Sequence, residues 1–215
     1  MIRILVADDH EMVRDGLRRI LHAESDFQIV GEAADGMEAL ALIRDKVVDV
    51  LLLDMSMPGR SGIELIRQIK EAKPKLPILI VSMHREEQYA VRSIRAGASG
   101  YVCKDGPAAT LIGAIRKLAS GGRFVSPQVM EGLAFGPGEE GATLPHTTLS
   151  DREFEVFLLL AAGQGVTDIA ERLGISVKTI STHKVHILEK MHLTSIAELV
   201  RYVIKHDLLP DQTAD

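Results

Sequence analysis

The chain has a single cysteine, Cys103, among 215 residues, which excludes an internal disulfide and any metal site built from clustered thiolates. A lone cysteine of this kind more often fills a small apolar position than a reactive one. A long apolar run is also missing, and the N-terminus enters a strand pattern (Ile2, Ile4, Val6) without a basic segment before it. Neither a signal peptide nor a membrane span is expected, so no membrane partner and a cytoplasmic location are the expectations. Excess positive charge is lacking too, since the formal net charge is −5. That excludes a global field attracting nucleic acid, and any such contact has to come from a local basic face. Part of the acidity sits in residues 126–146, which carry Glu131, Glu139 and Glu140 and no Lys or Arg. What remains is an ordinary globular composition, 46% hydrophobic and 26% charged, long enough for one large domain or two small ones.

From Ile2 to about Gly121 a strand followed by a helix recurs five times. The strands read Ile2–Val6, Gln28–Ala33, Val50–Leu53, Ile78–Val81 and Ser99–Val102, short and almost wholly apolar, as in parallel strands covered on both faces. Met12, Val13, Leu17, Ile20 and Leu21 show helical spacing between the first two, as do Leu65, Ile66 and Ile69 further on. The pattern predicts an α/β fold with a doubly wound five-stranded parallel sheet in the order 2-1-3-4-5 over residues 1–121. Residues 122–146 read as a linker, rich in Gly and Pro from Ser126 onward, with one short helical turn around Val129 to Leu133. From 147 to 215 the pattern is all-α, with four helices expected. Ser150-x-x-Glu153 is a capping box, Gly174 marks a turn, Ser176 is placed to cap the next helix, and Ser195-x-x-Glu198 opens the last.

Ligands of open α/β sheets bind beyond the C-terminal ends of the strands, where strand order reverses. Asp8 and Asp9 follow the first strand, Asp54 the third, Ser82 the fourth and Lys104 the fifth. In the order 2-1-3-4-5, Asp8, Asp9 and Asp54 converge. Three converging carboxylates repel, so a hard divalent cation with oxygen ligands is expected, Mg2+ by default. A carboxylate can also act as a nucleophile and form an aspartyl phosphate. Lys104 would add positive charge, and the Ser82 hydroxyl can donate to an attached phosphate. Any one of these residues alone has an ordinary explanation as a strand-end carboxylate or its counter-ion. The whole constellation, at matched strand ends, points to chemistry.

Residues 1–121 resemble a response-regulator receiver domain, by the pair Asp8-Asp9, the run Leu-Leu-Leu-Asp54-Met-Ser-Met-Pro58-Gly, Ser82 and Lys104. Residues 147–209 resemble the LuxR-type helix-turn-helix module, by Leu149-Ser-Asp-Arg-Glu153, Ile169-Ala170, Leu173-Gly174-Ile175-Ser176 and Lys178-Thr179-Ile180 through His183. The whole chain is thus similar to the NarL/FixJ family of two-component regulators. The resemblance implies Asp54 as phosphoacceptor for a sensor histidine kinase. It also implies Asp9, Asp54 and the Met55 backbone carbonyl as Mg2+ ligands, with Asp8 assisting. Ser82 and Tyr101 match the family's switch positions, where the hydroxyl moves onto the phosphate and the ring turns inward. Asp105 departs from the proline many receivers have after the lysine, and Met83 is bulkier than the usual residue there, which suggests shielding of the phosphoaspartate. Slow self-dephosphorylation is the only catalysis expected.

Helix, glycine turn, helix is the unit that places its second helix in the major groove. That helix is expected over about Val177 to Met191, with Lys178, Ser181, Thr182, Val185 and Glu189 along one side and Ile180, Ile187, Leu188 and Met191 toward the core. Lys178, Lys184 and Lys190, with His183 and His186, give basic edges for phosphates. By the resemblance, Ser181, Thr182 and Val185 contact bases, while Lys178, Thr179, His186 and Lys190 lie at phosphates or the groove edge. Thr167, in a Val-Thr-Asp stretch that departs from the family pattern, can still hydrogen-bond a phosphate. The last helix resembles the family's dimerisation helix, implying a homodimer on roughly palindromic DNA, although its apolar stripe could equally pack internally. RNA polymerase is a further candidate partner of such a regulator. An aspartyl-nucleophile hydrolase or phosphotransferase is the rival reading, but no second general acid or substrate cap is visible. A DNA-binding or protein-binding module that no longer needs phosphate is the other, and the complete Asp, Ser and Lys set speaks against it.

Overall fold

The computed structural model describes residues 1–55, 57, 62–82, 87–135, 144–206 and 208. Five strands, β1 (Ile2–Ala7), β2 (Phe27–Ala33), β3 (Val50–Leu53), β4 (Ile78–Ser82) and β5 (Gly100–Cys103), form one parallel sheet in the order β2-β1-β3-β4-β5. Alternate residues along each strand face opposite ways, so two apolar layers form. Ile4, Val6, Val50, Leu52, Leu79 and Val81 pack with Leu17 and Leu21 of α1 (Glu11–His22) and with Leu111, Ile115 and Leu118 of α5 (Ala108–Ala119). Leu5, Ala7, Leu51, Leu53, Ile78 and Ile80 pack against α2 (Gly36–Asp45), α3 (Gly62–Ala72) and α4 (Glu87–Arg95).

The segment after α5 is more ordered than its composition suggests. Phe124 pairs alongside β5, accepting from the Tyr101 amide at 2.9 Å and donating to the Ser99 carbonyl at 3.1 Å. A nine-residue helix, α6 (Pro127–Phe135), replaces the single expected turn and packs along α4. Pro127 suits a first helical position, the Ser126 hydroxyl accepts from the Val129 amide, and Val129 is buried.

A short 3-10 turn (Pro145–Thr148) leads into α7 (Asp151–Ala161), α8 (Val166–Leu173), α9 (Val177–Lys190) and α10 (Ile196–Lys205). The anticipated caps are present. Ser150 and Glu153 form a reciprocal capping box, Ser176 accepts from the Thr179 amide, and Ser195 from the Glu198 amide. Gly174 ends α8 at φ 64°, a left-handed conformation that glycine adopts without steric cost, and this redirects the chain into α9. Ile180 and Ile187 are buried beneath α9, while Leu188 is half-buried.

Candidate functional site

Backbone bonds carry the ladder past the strand ends and bring the chemical residues to one edge. The Asp54 amide donates to the Ala7 carbonyl, that of Asp8 to Ala33, and that of Lys104 to Ser82. Ser82 is the last residue of β4 and is completely buried, and Asp8 and Asp54 are nearly so. The Lys104 ammonium lies 2.6 Å from Asp8 Oδ2 and 3.2 Å from Asp54 Oδ2, and is itself mostly shielded from water. Ligand atoms of Asp8, Asp9, His10 and Asp54 all lie within 4.8 Å of one another.

This donor set fits a hard divalent cation. One lysine faces more carboxylate charge than it can neutralise, and oxygen donors dominate the cluster. Tyr101 is half-buried in β5, paired in register with Ile80 of β4, and Cys103, at the strand's end, is half-buried rather than enclosed. The Lys104–Asp105 peptide is trans. Met83 and Pro58 lie outside the described residues.

Three supporting residues escaped the sequence reading. His10 donates its amide to Asp8 Oδ1 and holds its exposed ring 3.0 Å from Asp9 Oδ1. Arg14, one turn into α1, donates to the Asp8 carbonyl at 2.7 Å. Gly62 opens α3 directly against Met55. A Cβ there would meet Met55 Cε at 2.6 Å and its carbonyl oxygen at 3.0 Å. No local pattern marks Arg14 or Gly62, because both act across elements.

A second set of residues lies on α9 and α8. Lys178, Thr179, Ser181, Thr182, Val185 and His186 are exposed along α9, and Thr167 is exposed at the start of α8. The Ser181 and Thr182 hydroxyls donate to the carbonyls of Val177 and Lys178, which leaves their oxygens outward as acceptors. Lys190 is engaged already, with its ammonium 2.9 and 2.7 Å from the two oxygens of buried Glu153. His183, expected on the basic edge, is half-buried, and burial, with Arg152 nearby, pushes its pKa below the usual imidazole value, which disfavours its charged form.

Two family models match the chain, the response regulator receiver domain over residues 4–116 and the luxR family of bacterial regulatory proteins over 147–203. The chain is a NarL/FixJ-family response regulator. It is 39% identical to the oxygen regulatory protein NreC of Staphylococcus carnosus, over 97% of this chain and 99% of that one. It is 35% identical to the response regulator UvrY of Escherichia coli, over 99% of this chain and 98% of that one. Among solved structures, RcsB of Salmonella enterica serovar Typhimurium, bound to the rprA promoter with phosphomimetic BeF3−, superposes with a TM-score of 0.72 at 29% identity, covering 95% of this chain and 99% of RcsB. This response regulator thus joins a receiver to a LuxR-type DNA-binding domain and regulates transcription. No helix among its described residues is long and apolar enough to cross a membrane.

Proposed function

We propose that Asp54 is the phosphoacceptor of a sensor histidine kinase and that its phosphorylation controls dimerisation and sequence-specific DNA binding. One observation carries the reading: Asp54 is buried at the β1/β3 switch point with its carboxylate beside Lys104 and the Asp8–Asp9 pair. An Asp54 oxygen attacks the phosphorus, a bond to phosphorus forms, and the donor leaves with the electron pair of the broken bond. Lys104 neutralises a phosphoryl oxygen, the Ser82 hydroxyl donates to another once the group is attached, and Tyr101 follows inward. Asp9, Asp54 and the Met55 carbonyl would hold Mg2+, with Asp8 assisting, and the ion would supply charge neutralisation to the phosphoryl oxygens. Catalysis by the protein itself is limited to slow loss of its own phosphate.

In this reading residues 1–121 form the receiver, 122–146 the connection and 147–215 the DNA-binding domain, acting in the cytoplasm. Ser181, Thr182 and Val185 read bases; Lys178, Thr179, His186 and Thr167 lie at phosphates or the groove edge, and Lys190, held by Glu153, lines the groove edge without a phosphate contact. The active form is a homodimer on a roughly palindromic duplex, within reach of RNA polymerase. Intact mass and DNA affinity, measured with and without acetyl phosphate for wild type and Asp54→Asn, test the reading. Wild type gains one phosphoryl mass and binds more tightly, while Asp54→Asn does neither. If the donor changes neither property in wild type, the switch does not exist.

A further inference from the structure

Arg92 of α4 reaches across to the second domain through several contacts at once. It donates to Asp151 Oδ1 at 3.0 Å, to the Leu149 carbonyl at 2.8 Å and to the His146 carbonyl at 3.4 Å. Its guanidinium lies 4.5 Å above the Phe154 ring, and only 13% of the side chain is exposed. The other Asp151 oxygen is held by Arg67 of α3. Tyr89, one turn before Arg92, sits 5.9 Å from Phe154, so one apolar core runs without interruption from the receiver into α7. A planar cation that satisfies a carboxylate and two carbonyls while stacked on a ring is locked in orientation, which an exposed surface ion pair is not.

The contact does not mask the DNA-reading face. Lys178, Ser181, Thr182 and Val185 stay exposed on α9 while the joint is closed. What the joint can set is orientation. α4 follows Ser82 after a four-residue connection (83–86), and α6 packs along it. Beyond the joint, Glu153 of α7 grips Lys190 of α9, and Phe154 stacks on Phe157. Two reading helices of a dimer must meet half-sites at a set separation, so the angle between receiver and α7 matters as much as exposure.

We propose that the Arg92–Asp151–Phe154 joint is the coupling element, a rigid link through which a change at Asp54 and Ser82 reorients the DNA-binding domain. This rests on the reading of Asp54 above. Arg92 and Asp151 are positioning residues that touch neither phosphate nor DNA. The link joins the element that follows Ser82 to the helix that opens the DNA-binding domain through one set of contacts, the continuous path that coupling between distant sites can use.

The test uses full-length wild type, Arg92→Ala and Asp151→Ala, each with and without acetyl phosphate, reading intact mass, thermal midpoint and affinity for one operator duplex. Asp151→Ala leaves Arg92 in the chain to cover Phe154 with its guanidinium, which guards against simple unfolding by Arg92→Ala. Both variants are expected to take the phosphoryl group to the wild-type extent and to match wild-type affinity without it. Their phosphorylation-dependent gain in affinity falls to less than about twofold, the loss of a coupling free energy rather than of a binding contact. Arg67→Ala, which leaves Arg92 in place, keeps most of the gain. The proposal is overturned if either variant retains the full wild-type gain. It is equally overturned if unphosphorylated variants bind as tightly as phosphorylated wild type, since the joint would then be a mask. If wild type itself takes no phosphate, the reading of Asp54 falls and the proposal with it.

Discussion

The ammonium of Lys104 lies 2.6 Å from the carboxylate of Asp8, two residues drawn from the ends of β5 and β1 with β3 and β4 between them. In the resting protein, therefore, one lysine does much of the neutralising expected of a cation in this pocket. Replacing it with Met leaves Asp8 and Asp54 buried against each other, a loss on the order of 3 kcal/mol for breaking a buried pair. Millimolar Mg2+ can then restore what the lysine supplied. We expect Lys104→Met to melt well below wild type without Mg2+, and to gain more in thermal midpoint on adding it than wild type does. Equal Mg2+-dependent shifts in the two proteins would show that lysine and metal do not compete for the same charge.

Gly62 gives a prediction about the Met55 carbonyl. The methionine tip can swing away from an added Cβ, but the carbonyl oxygen 3.0 Å off belongs to the backbone and moves only with the loop. Gly62→Ala should cost about 1–3 kcal/mol through overpacking. It should also weaken Mg2+ binding several-fold, read as a higher Mg2+ concentration needed for half-maximal thermal shift. Gly16→Ala, where a Cβ meets nothing within 4 Å, serves as the control and leaves the Mg2+ response unchanged.

These sites differ in how far the sequence discloses them. β3 reads off the chain at its observed bounds because four consecutive apolar residues lie between polar neighbours, and the other strands are displaced by only a residue or two. Asp8, Asp9, Asp54, Ser82 and Lys104 are legible because strand ends are legible and strand order then brings them together. The starts of α7, α9 and α10 are equally plain, since Ser at the cap and its bond to an amide three residues on are local chemistry. α6 is not, because Gly132, Gly136 and Pro137 obscure a helix whose support comes from packing on α4. The joint of Arg92 with Asp151 is silent in the sequence as well. Its partners are 59 residues apart, and Asp151 on its own is only an acidic residue in the first turn of a helix. Glu153 was visible as a capping residue, and nothing local announced its second partner, Lys190.

His146 makes stability depend on pH in a stated direction. Its ring is buried between Tyr202, Phe154 and His206; Nδ1 lies 2.6 Å from the Tyr202 hydroxyl, and Nε2 has no hydrogen-bond partner among the described residues. Burial, with positive charge from His206 and Arg92 nearby, lowers its pKa from 6.5 to about 4. The unfolded chain therefore takes up a proton that the folded chain refuses. Stability from this group is fully present above about pH 6.5 and is lost as pH falls from there through about 4, a span worth roughly 3 kcal/mol. Urea midpoints at pH 7.5, 6 and 5 should fall for wild type, and the decline should be shallower in His146→Phe, which keeps the ring and removes the titration. Parallel declines would assign the acid loss to carboxylates instead.

Lys178 and Lys190 lie on the same helix with opposite expectations. Lys178 is exposed in the first turn of α9, beside the hydroxyls expected to face DNA, and its removal should leave the thermal midpoint unchanged. If it neutralises a phosphate, Lys178→Ala lowers the slope of log affinity against log salt by about one for each protomer. Lys190 holds Glu153, which is only 5% exposed and also caps α7. Lys190→Ala strands that carboxylate and should destabilise the domain by about 1–3 kcal/mol. Its salt slope should stay at the wild-type value as long as the ammonium remains on Glu153 in the complex. A slope reduced by one would instead mean that Lys190 leaves Glu153 for a phosphate on binding, and the stability cost of that exchange would then appear as weaker DNA affinity in wild type than in a variant with Glu153 already neutralised, Glu153→Gln.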